Sequence, residues 1–211
     1  MAGSMVRREE ALVPKPKSAA QVDAKALAAR WFALAEAGEL AVLCRALAVG
    51  KGRMHAARAV MQRETGRYAA FQAALVAGLG SPRASLRFEC AHALDTFGDA
   101  TTRAPLAVLM DDAVPRVRWI AMHALSCHAC GEKPDGLEAS IRARIMHAAS
   151  NDPSPQVRRH AAVALGLAHA AGAAPVLNDM LARETDAKTL RMAGWARAEL
   201  GRPAKSASTG L

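Results

Sequence analysis

The hydrophobic pattern of the chain is helical over almost its whole length. From Gln21 onward, windows of 10–16 residues rich in Ala, Leu and Val alternate with short breaks that carry polar residues, Gly or Pro. This spacing predicts roughly eleven helices joined by short turns. No window alternates apolar and polar residues with β-branched enrichment, so we predict no sheet. We expect disordered tails at 1–20 and 201–211, which leaves one folded domain over 21–200.

A nine-residue template recurs in the second half of the chain. It consists of an aliphatic residue, Arg, two variable residues, a small residue, two variable residues and Ala-Leu. Clear copies begin at Leu86, Val117 and Val157, and a degenerate fourth copy begins at Leu190 with Gly194 at the small position. The intervals between the template arginines are 31, 40 and 33 residues, which suffices for two short helices and two turns.

Each template copy predicts one helix of a stacked pair. The equivalent residues Leu94, Leu125 and Leu165 should be buried. A Pro-containing turn signal precedes each clear copy, and a second apolar window follows the template. Because one helix pair cannot bury both of its faces, neighbouring pairs must stack. The fold class is therefore all-α, a right-handed α-solenoid of about five stacked antiparallel helix pairs, with clear repeats over 81–200.

One interval between the template arginines is longer than the other two. The 40-residue interval exceeds its neighbours by 7–9 residues. Insertions in repeat proteins map to loops on one face of the array. We therefore predict a projecting loop around Gly131, Pro134 and Gly136.

The template resembles the HEAT-like repeat family, in the short form known from phycobilisome-lyase-type proteins. The match rests on an Asp five positions before Val-Arg in two copies, each followed by small-x-x-Ala-Leu. In that family the Asp and Arg of each repeat bridge neighbouring turns. The resemblance implies such a structural ladder for Asp112, Arg118, Asp152 and Arg158. Ser81 and Thr185 stand at the Asp position of the other two copies.

Positive charge is concentrated in one segment. The net charge is +9, and residues 41–67 supply +5 of it. A basic patch attracts polyanions, of which nucleic acid is the commonest in a cytosol. The candidate nucleic-acid-binding residues are Lys51, Arg53, Arg58, Arg63 and Arg67. A helical wheel places Arg58 with Lys51 on the solvent face, whereas Arg53 reaches solvent only from the first turn or by extending its stem. The alternative is that these residues only keep an Ala-rich surface soluble.

The cysteine and histidine spacings do not complete a metal site. Cys127 and Cys130 have the spacing of half a zinc site, but no second CxxC or HxxxH follows. The repeat-equivalent His92 and His123 would lie about 8–10 Å apart on adjacent helices, which is too far to share one ion. We interpret the cysteines as ordinary reduced thiols and predict no metal and no cofactor.

Known enzymes built on such repeats carry sequence features that can be looked for in this chain. Every His is followed by Ala, which excludes the His-Glu pairs of the deoxyhypusine hydroxylases. Nothing marks a pigment site of the bilin-lyase kind. The alkylpurine DNA glycosylases resemble the chain in architecture, charge and length, and that resemblance implies aromatic side chains that hold a cationic base. The tryptophans at 31, 119 and 195 are widely separated in sequence.

These observations favour a role without catalysis. No Gly-rich phosphate loop, Ser-His-Asp set or paired-carboxylate motif is found. The leading hypothesis is a repeat scaffold or adaptor that binds a protein partner. The alternative is a backbone-directed DNA- or RNA-binding protein, with alkylated-base DNA glycosylase as the first enzyme candidate. Without a transmembrane stretch or a signal-peptide core, we expect a cytoplasmic location and no membrane partner.

Overall fold

The computed structural model describes residues 19–127 and 137–202, which contain helices and no strand. The predicted all-α class is confirmed. The α-helices are α1 (Ala19–Glu36), α2 (Leu40–Ala46), α3 (Lys51–Met61), α4 (Thr65–Gly78), α5 (Ala84–Phe97), α6 (Arg103–Val108), α7 (Pro115–Ser126), α8 (Ala139–Asn151), α9 (Pro155–Leu167), α10 (Ala173–Arg183) and α11 (Ala187–Glu199). Short 3₁₀ turns flank α6 at Ala100–Thr102 and Leu109–Asp111. None of these helices has the length and apolar character needed to cross a membrane.

From α4 onward the helices form pairs that stack in a row. The pairs are α4 with α5, α6 with α7, α8 with α9, and α10 with α11. The second helices of the pairs pack directly on one another, α5 against α7, α7 against α9 and α9 against α11. This arrangement is that of a helical repeat solenoid. At the N-terminal end α1 packs against α3 and α4.

Some predicted features fall outside the described part of the chain. The tails predicted at 1–20 and 201–211 lie there except for 19–20 and 201–202. The loop predicted around 131–136 also lies outside it. The right-handed sense of the array and the domain limits 21–200 stay predictions.

The template leucines lie in the core as predicted. Leu94, Leu125 and Leu165 are all buried in one continuous hydrophobic cluster. Aromatic residues fill the N-terminal end of this cluster, where Trp31 packs edge-to-face on Phe97 with ring centroids 5.7 Å apart. Equivalent leucines are therefore buried in three successive repeats.

The fourth copy of the template begins one residue earlier than the sequence alignment places it. The buried residues of α11 are Thr189, Ala193 and Ala196. They are four and then three residues apart, as are the buried residues Val157, Ala161 and Ala164 of α9. The first template position of α11 is therefore occupied by Thr189.

A hydrogen bond explains why Thr189, and not the Leu190 expected from the sequence, occupies the first template position of α11. Leu190 is the more apolar candidate for the first position, yet it is only half-buried. Thr189 is buried because its hydroxyl forms a hydrogen bond with the carbonyl oxygen of Pro155, at 3.0 Å. The corrected register places Glu184, and not Thr185, at the acidic position before the template.

Bidentate arginine-carboxylate pairs join successive repeats. Their N–O distances are 2.7–2.9 Å, and the pairs are Arg87 with Asp112, Arg118 with Asp152, and Arg158 with Glu184. In each pair the remaining guanidinium nitrogen donates to a carbonyl of the turn before its own helix, at 2.8 Å. Of the four ladder residues implied by the resemblance, the structure pairs Arg118 with Asp152. The other two ladder residues have different partners: Asp112 pairs with Arg87, and Arg158 pairs with Glu184.

Hydrogen bonding to arginine makes two of these pairs sensitive to pH. The carboxylates of the three pairs are almost completely buried. The Arg87 guanidinium holds the pKa of Asp112 below its ordinary value, and Arg158 lowers the pKa of Glu184 to about 2. Because these two values lie below those of the unfolded chain, the Asp112 and Glu184 pairs stabilise the fold at neutral pH. That stabilisation is lost as the pH falls through the lowered pKa values.

Gly166 allows α9 and α11 to approach closely. A Cβ at Gly166 would lie 2.8 Å from the Cα and 2.9 Å from the Cβ of Ala196. A Cβ at Gly194, also within a helix, would meet only the side chain of Leu181 at 3.9 Å. The two glycines therefore differ in whether a methyl group fits.

We expect Gly166→Ala to reduce the free energy of unfolding by about 1–3 kcal/mol, because the backbone of α11 must move. Gly194→Ala should be neutral or stabilising by up to about 1 kcal/mol, since Ala favours a helix over Gly. Urea unfolding of both variants measures the difference. Equal effects of the two substitutions would contradict the close approach of α9 and α11.

The adjacent residues Asp111 and Asp112 both pair with arginines but differ in burial. Asp111 pairs with Arg144 at 2.7 Å, but its side chain is 81% exposed, against 6% for Asp112. Asp112→Asn should lower the free energy of unfolding by about 2–4 kcal/mol, because it leaves the Arg87 guanidinium without its anion. Asp111→Asn should change it by at most about 0.5 kcal/mol. If both variants unfolded at the same urea concentration, the prediction that the buried Arg87–Asp112 pair stabilises the fold would be wrong.

Candidate interaction face

Besides the second position, two template positions are solvent-accessible in all four second helices, α5, α7, α9 and α11. These are the third and seventh positions, which lie one helical turn apart on the same side of a helix. The first and fifth positions are buried in every copy. The third position is occupied by Phe88, Trp119, Arg159 and Arg191, and the seventh by His92, His123, Val163 and Trp195. These eight residues are called the repeat face below.

Aromatic rings contact one another across the repeat face. Trp119 lies edge-to-face with Phe88, with centroids 5.6 Å apart, and stacks on His160 of α9 at 4.2 Å. Phe88 also lies against His92 at 6.1 Å and under the guanidinium of Arg116 at 5.3 Å. These contacts occupy much of the ring surface that a stacked nucleic-acid base would use.

The repeat face carries positive charge at its C-terminal end. Within the described part of the chain, Arg159 and Arg191 at this end make no ion pair, and neither does Arg116 beside Phe88 at the other end. His160 does not add to this charge, because its burial and the nearby Arg159 lower its pKa to about 4. The face therefore combines aromatic edges with unpaired guanidinium groups.

A cluster of polar side chains surrounds His123. The Nε2 atom of His123 lies 3.3 Å from an oxygen of Asp95, on the neighbouring helix α5. Hydrogen bonding to Asp95 and to Cys127 raises the pKa of His123 to about 9, so the imidazole is charged at neutral pH. The carboxylate of Asp95, the imidazole of His123 and the thiol of Cys127 are all groups that bind metal ions in proteins. Cys130, the second half of the CxxC, lies outside the described residues.

Two of the five predicted nucleic-acid-binding residues are paired with carboxylates of the chain. Arg53 lies in the first turn of α3 and makes a bidentate pair with Asp23, at 2.8 and 2.9 Å. Arg67 pairs with Glu36 at 2.8 Å and Glu64 at 3.1 Å. A phosphate would compete with these carboxylates for both arginines.

The predicted position of Arg58 on the solvent face is wrong. This residue is only 8% exposed, and its Nε lies 3.4 Å from the hydroxyl of Tyr68. The wheel assumes one buried side for α3, whereas both α1 and α4 pack against this helix. Lys51 and Arg63 remain exposed, and neither makes an ion pair with a described residue.

The three tryptophans occupy different environments. Trp31 is completely buried in the N-terminal core, Trp119 is half-buried among rings, and Trp195 is exposed on α11. A buried Trp31 cannot line a cage that is open to a base. The aromatic residues implied by the glycosylase resemblance are thus not supplied by these three side chains together.

No protein-family model and no curated protein matches the chain. The resemblance to HEAT-like repeats accordingly stays a prediction that rests on the template and its acidic residue.

The environments of the five basic residues change the expected salt dependence of DNA binding. Five phosphate contacts would give a slope of about −4.5 for log affinity against log salt, whereas contacts from Lys51 and Arg63 alone give about −1.8. Between 50 and 200 mM salt, duplex DNA affinity should then fall about 12-fold and not about 500-fold. A fluorescence-anisotropy titration at several salt concentrations measures this slope.

Paired double variants test which residues contribute to that slope. Lys51→Gln with Arg63→Gln should abolish the slope, while Arg53→Gln with Arg67→Gln should leave it unchanged. A parent slope near −3.6, from about four contacts, would show instead that the carboxylate-paired Arg53 and Arg67 release their partners and bind phosphate.

Proposed function

We propose that this chain is a non-enzymatic interaction module, a HEAT-like repeat scaffold that binds a protein partner across its repeat face. The observation that carries the proposal is that two equivalent positions of four stacked helices are accessible and carry aromatic, His or Arg side chains in all cases but Val163. A regular array of this kind offers one extended surface, which is how solenoids generally engage partners.

The residue types on the repeat face favour a protein interface. Trp and Arg contribute most often to the energetic centres of such interfaces, whereas isolated charges at the rim contribute little. Trp195 is 36% exposed at the C-terminal end of the face, beside Arg191 on the same helix. The partner segment that fits this composition presents apolar side chains together with Asp or Glu.

Two observations support a protein partner over nucleic acid. Base stacking needs free ring surface, but Trp119 and Phe88 already contact His160, His92 and Arg116. Phosphate binding needs accessible cations, yet three of the five basic residues predicted for it are paired or buried. The acidic protein segment needs only the ring edges and the unpaired guanidinium groups.

The test compares exposed side chains on the two layers of the array. Proteins retained from nuclease-treated lysate by the immobilised chain should be lost with Trp195→Ala or Arg191→Ala, each of which should weaken binding about 30-fold. Leu181→Ala provides the matched control, because Leu181 is 39% exposed but lies on the first-layer helix α10. It should retain the parent's partner.

Two results would contradict the proposed function. Material that disappears on nuclease treatment would identify the partner as nucleic acid. Retention that is insensitive to both repeat-face substitutions but lost in Leu181→Ala would place the partner on the first layer of helices.

A further inference from the structure

Three different metal-ligating side chains converge beside the repeat face. Asp95 lies in the last turn of α5, His123 in the last turn of α7, and Cys127 directly after α7. His123 and Cys127 are four residues apart and so lie on one side of the helix, while the packing of α5 against α7 brings in Asp95. One ligand atom from each residue lies within 4.8 Å of the other two.

The separations suit a tetrahedral ion. With bonds of about 2.0–2.3 Å to N, O and S atoms, two ligands of one zinc ion lie about 3.3–3.6 Å apart. The observed distance between His123 Nε2 and Asp95 Oδ2 is 3.3 Å. All separations in the cluster are at most 4.8 Å, so the ligand atoms need to approach by no more than about 1.5 Å, which is within the reach of side-chain rotation.

Burial and charge favour a divalent cation at this point. Asp95 is 3% exposed and Cys127 is 5% exposed. Both lie near the C-terminal ends of helices, where the free carbonyl groups carry partial negative charge. A dication bound by a carboxylate, a thiolate and a neutral imidazole has no net charge.

We propose that Asp95, His123 and Cys127 bind one zinc ion, with water as the fourth ligand. Thiolate and imidazole ligands select zinc over magnesium or calcium, which prefer oxygen atoms. The side chain of His123 is 30% exposed, which provides a route for the ion and an open coordination position. Three protein ligands and one water also form the coordination pattern of many catalytic zinc sites.

Cobalt is the spectroscopic probe for this site. Metal-free full-length chain, kept reduced, should bind one equivalent of Co²⁺ and develop thiolate-to-cobalt charge-transfer absorption, and Zn²⁺ should displace the Co²⁺. Cys127→Ser should abolish that absorption. Asp95→Asn and His123→Gln should each weaken Zn²⁺ binding on the order of 100-fold or more, measured by competition with a chromophoric chelator.

Two matched variants separate this site from other thiols and histidines. His92→Gln changes the same template position one repeat earlier. Cys90→Ser removes one thiol of another close pair, since the Sγ atoms of Cys44 and Cys90 are 3.8 Å apart. Neither variant should alter the cobalt spectrum or the Zn²⁺ affinity.

The proposal fails if the parent chain binds no stoichiometric metal. It also fails if the absorption survives Cys127→Ser or disappears in Cys90→Ser. Circular dichroism checks that each variant is folded. If Cys127→Ser does not fold, the affinity of His123→Gln decides, because an unchanged Zn²⁺ affinity there removes the imidazole from the site.

Discussion

The arginine-carboxylate pairs constrain how the repeats stack. The buried residues of the second helices include many alanines, and such small side chains permit several relative positions along the helix axis. A bidentate pair such as Arg118 with Asp152 is directional, so it selects one of these positions. The same carboxylate accepts a hydrogen bond from the backbone N–H of Ser154, at 2.9 Å. The turn before α9 is thereby joined to Arg118 of α7. Each pair thereby orients the next helix as well as joining it to its neighbour.

The geometry of the repeat face depends on this constraint. The ladder arginine occupies the second template position and the first residue of the repeat face follows immediately, so the register of one determines the register of the other. The ring centroids of Phe88 and Trp119 lie 5.6 Å apart across two helices whose ladder arginines, Arg87 and Arg118, make equivalent pairs. A slip by one residue would rotate these rings by about 100° and separate them.

The sequence was sufficient for features that depend on local pattern. Helical spacing predicted the all-α class, and the template predicted that Leu94, Leu125 and Leu165 are equivalent core residues, because both signals lie within one helix. The burial of Arg58 depends on two other helices, and the burial of Thr189 depends on a distant carbonyl. No single-helix pattern contains that information.

The polar cluster around His123 is another feature that a single-helix pattern does not contain. It also connects the candidate metal site to the repeat face. The spacing of His123 and Cys127 is visible in the sequence, but Asp95 belongs to another repeat and joins them only through the packing of α5 on α7. His123 also occupies the seventh template position, so it is part of the repeat face. The zinc complex with a carboxylate, a thiolate and a neutral imidazole has no net charge. Metal binding would therefore add no positive charge to the middle of the repeat face, and the arginines near its C-terminal end would remain the main attraction for an acidic partner.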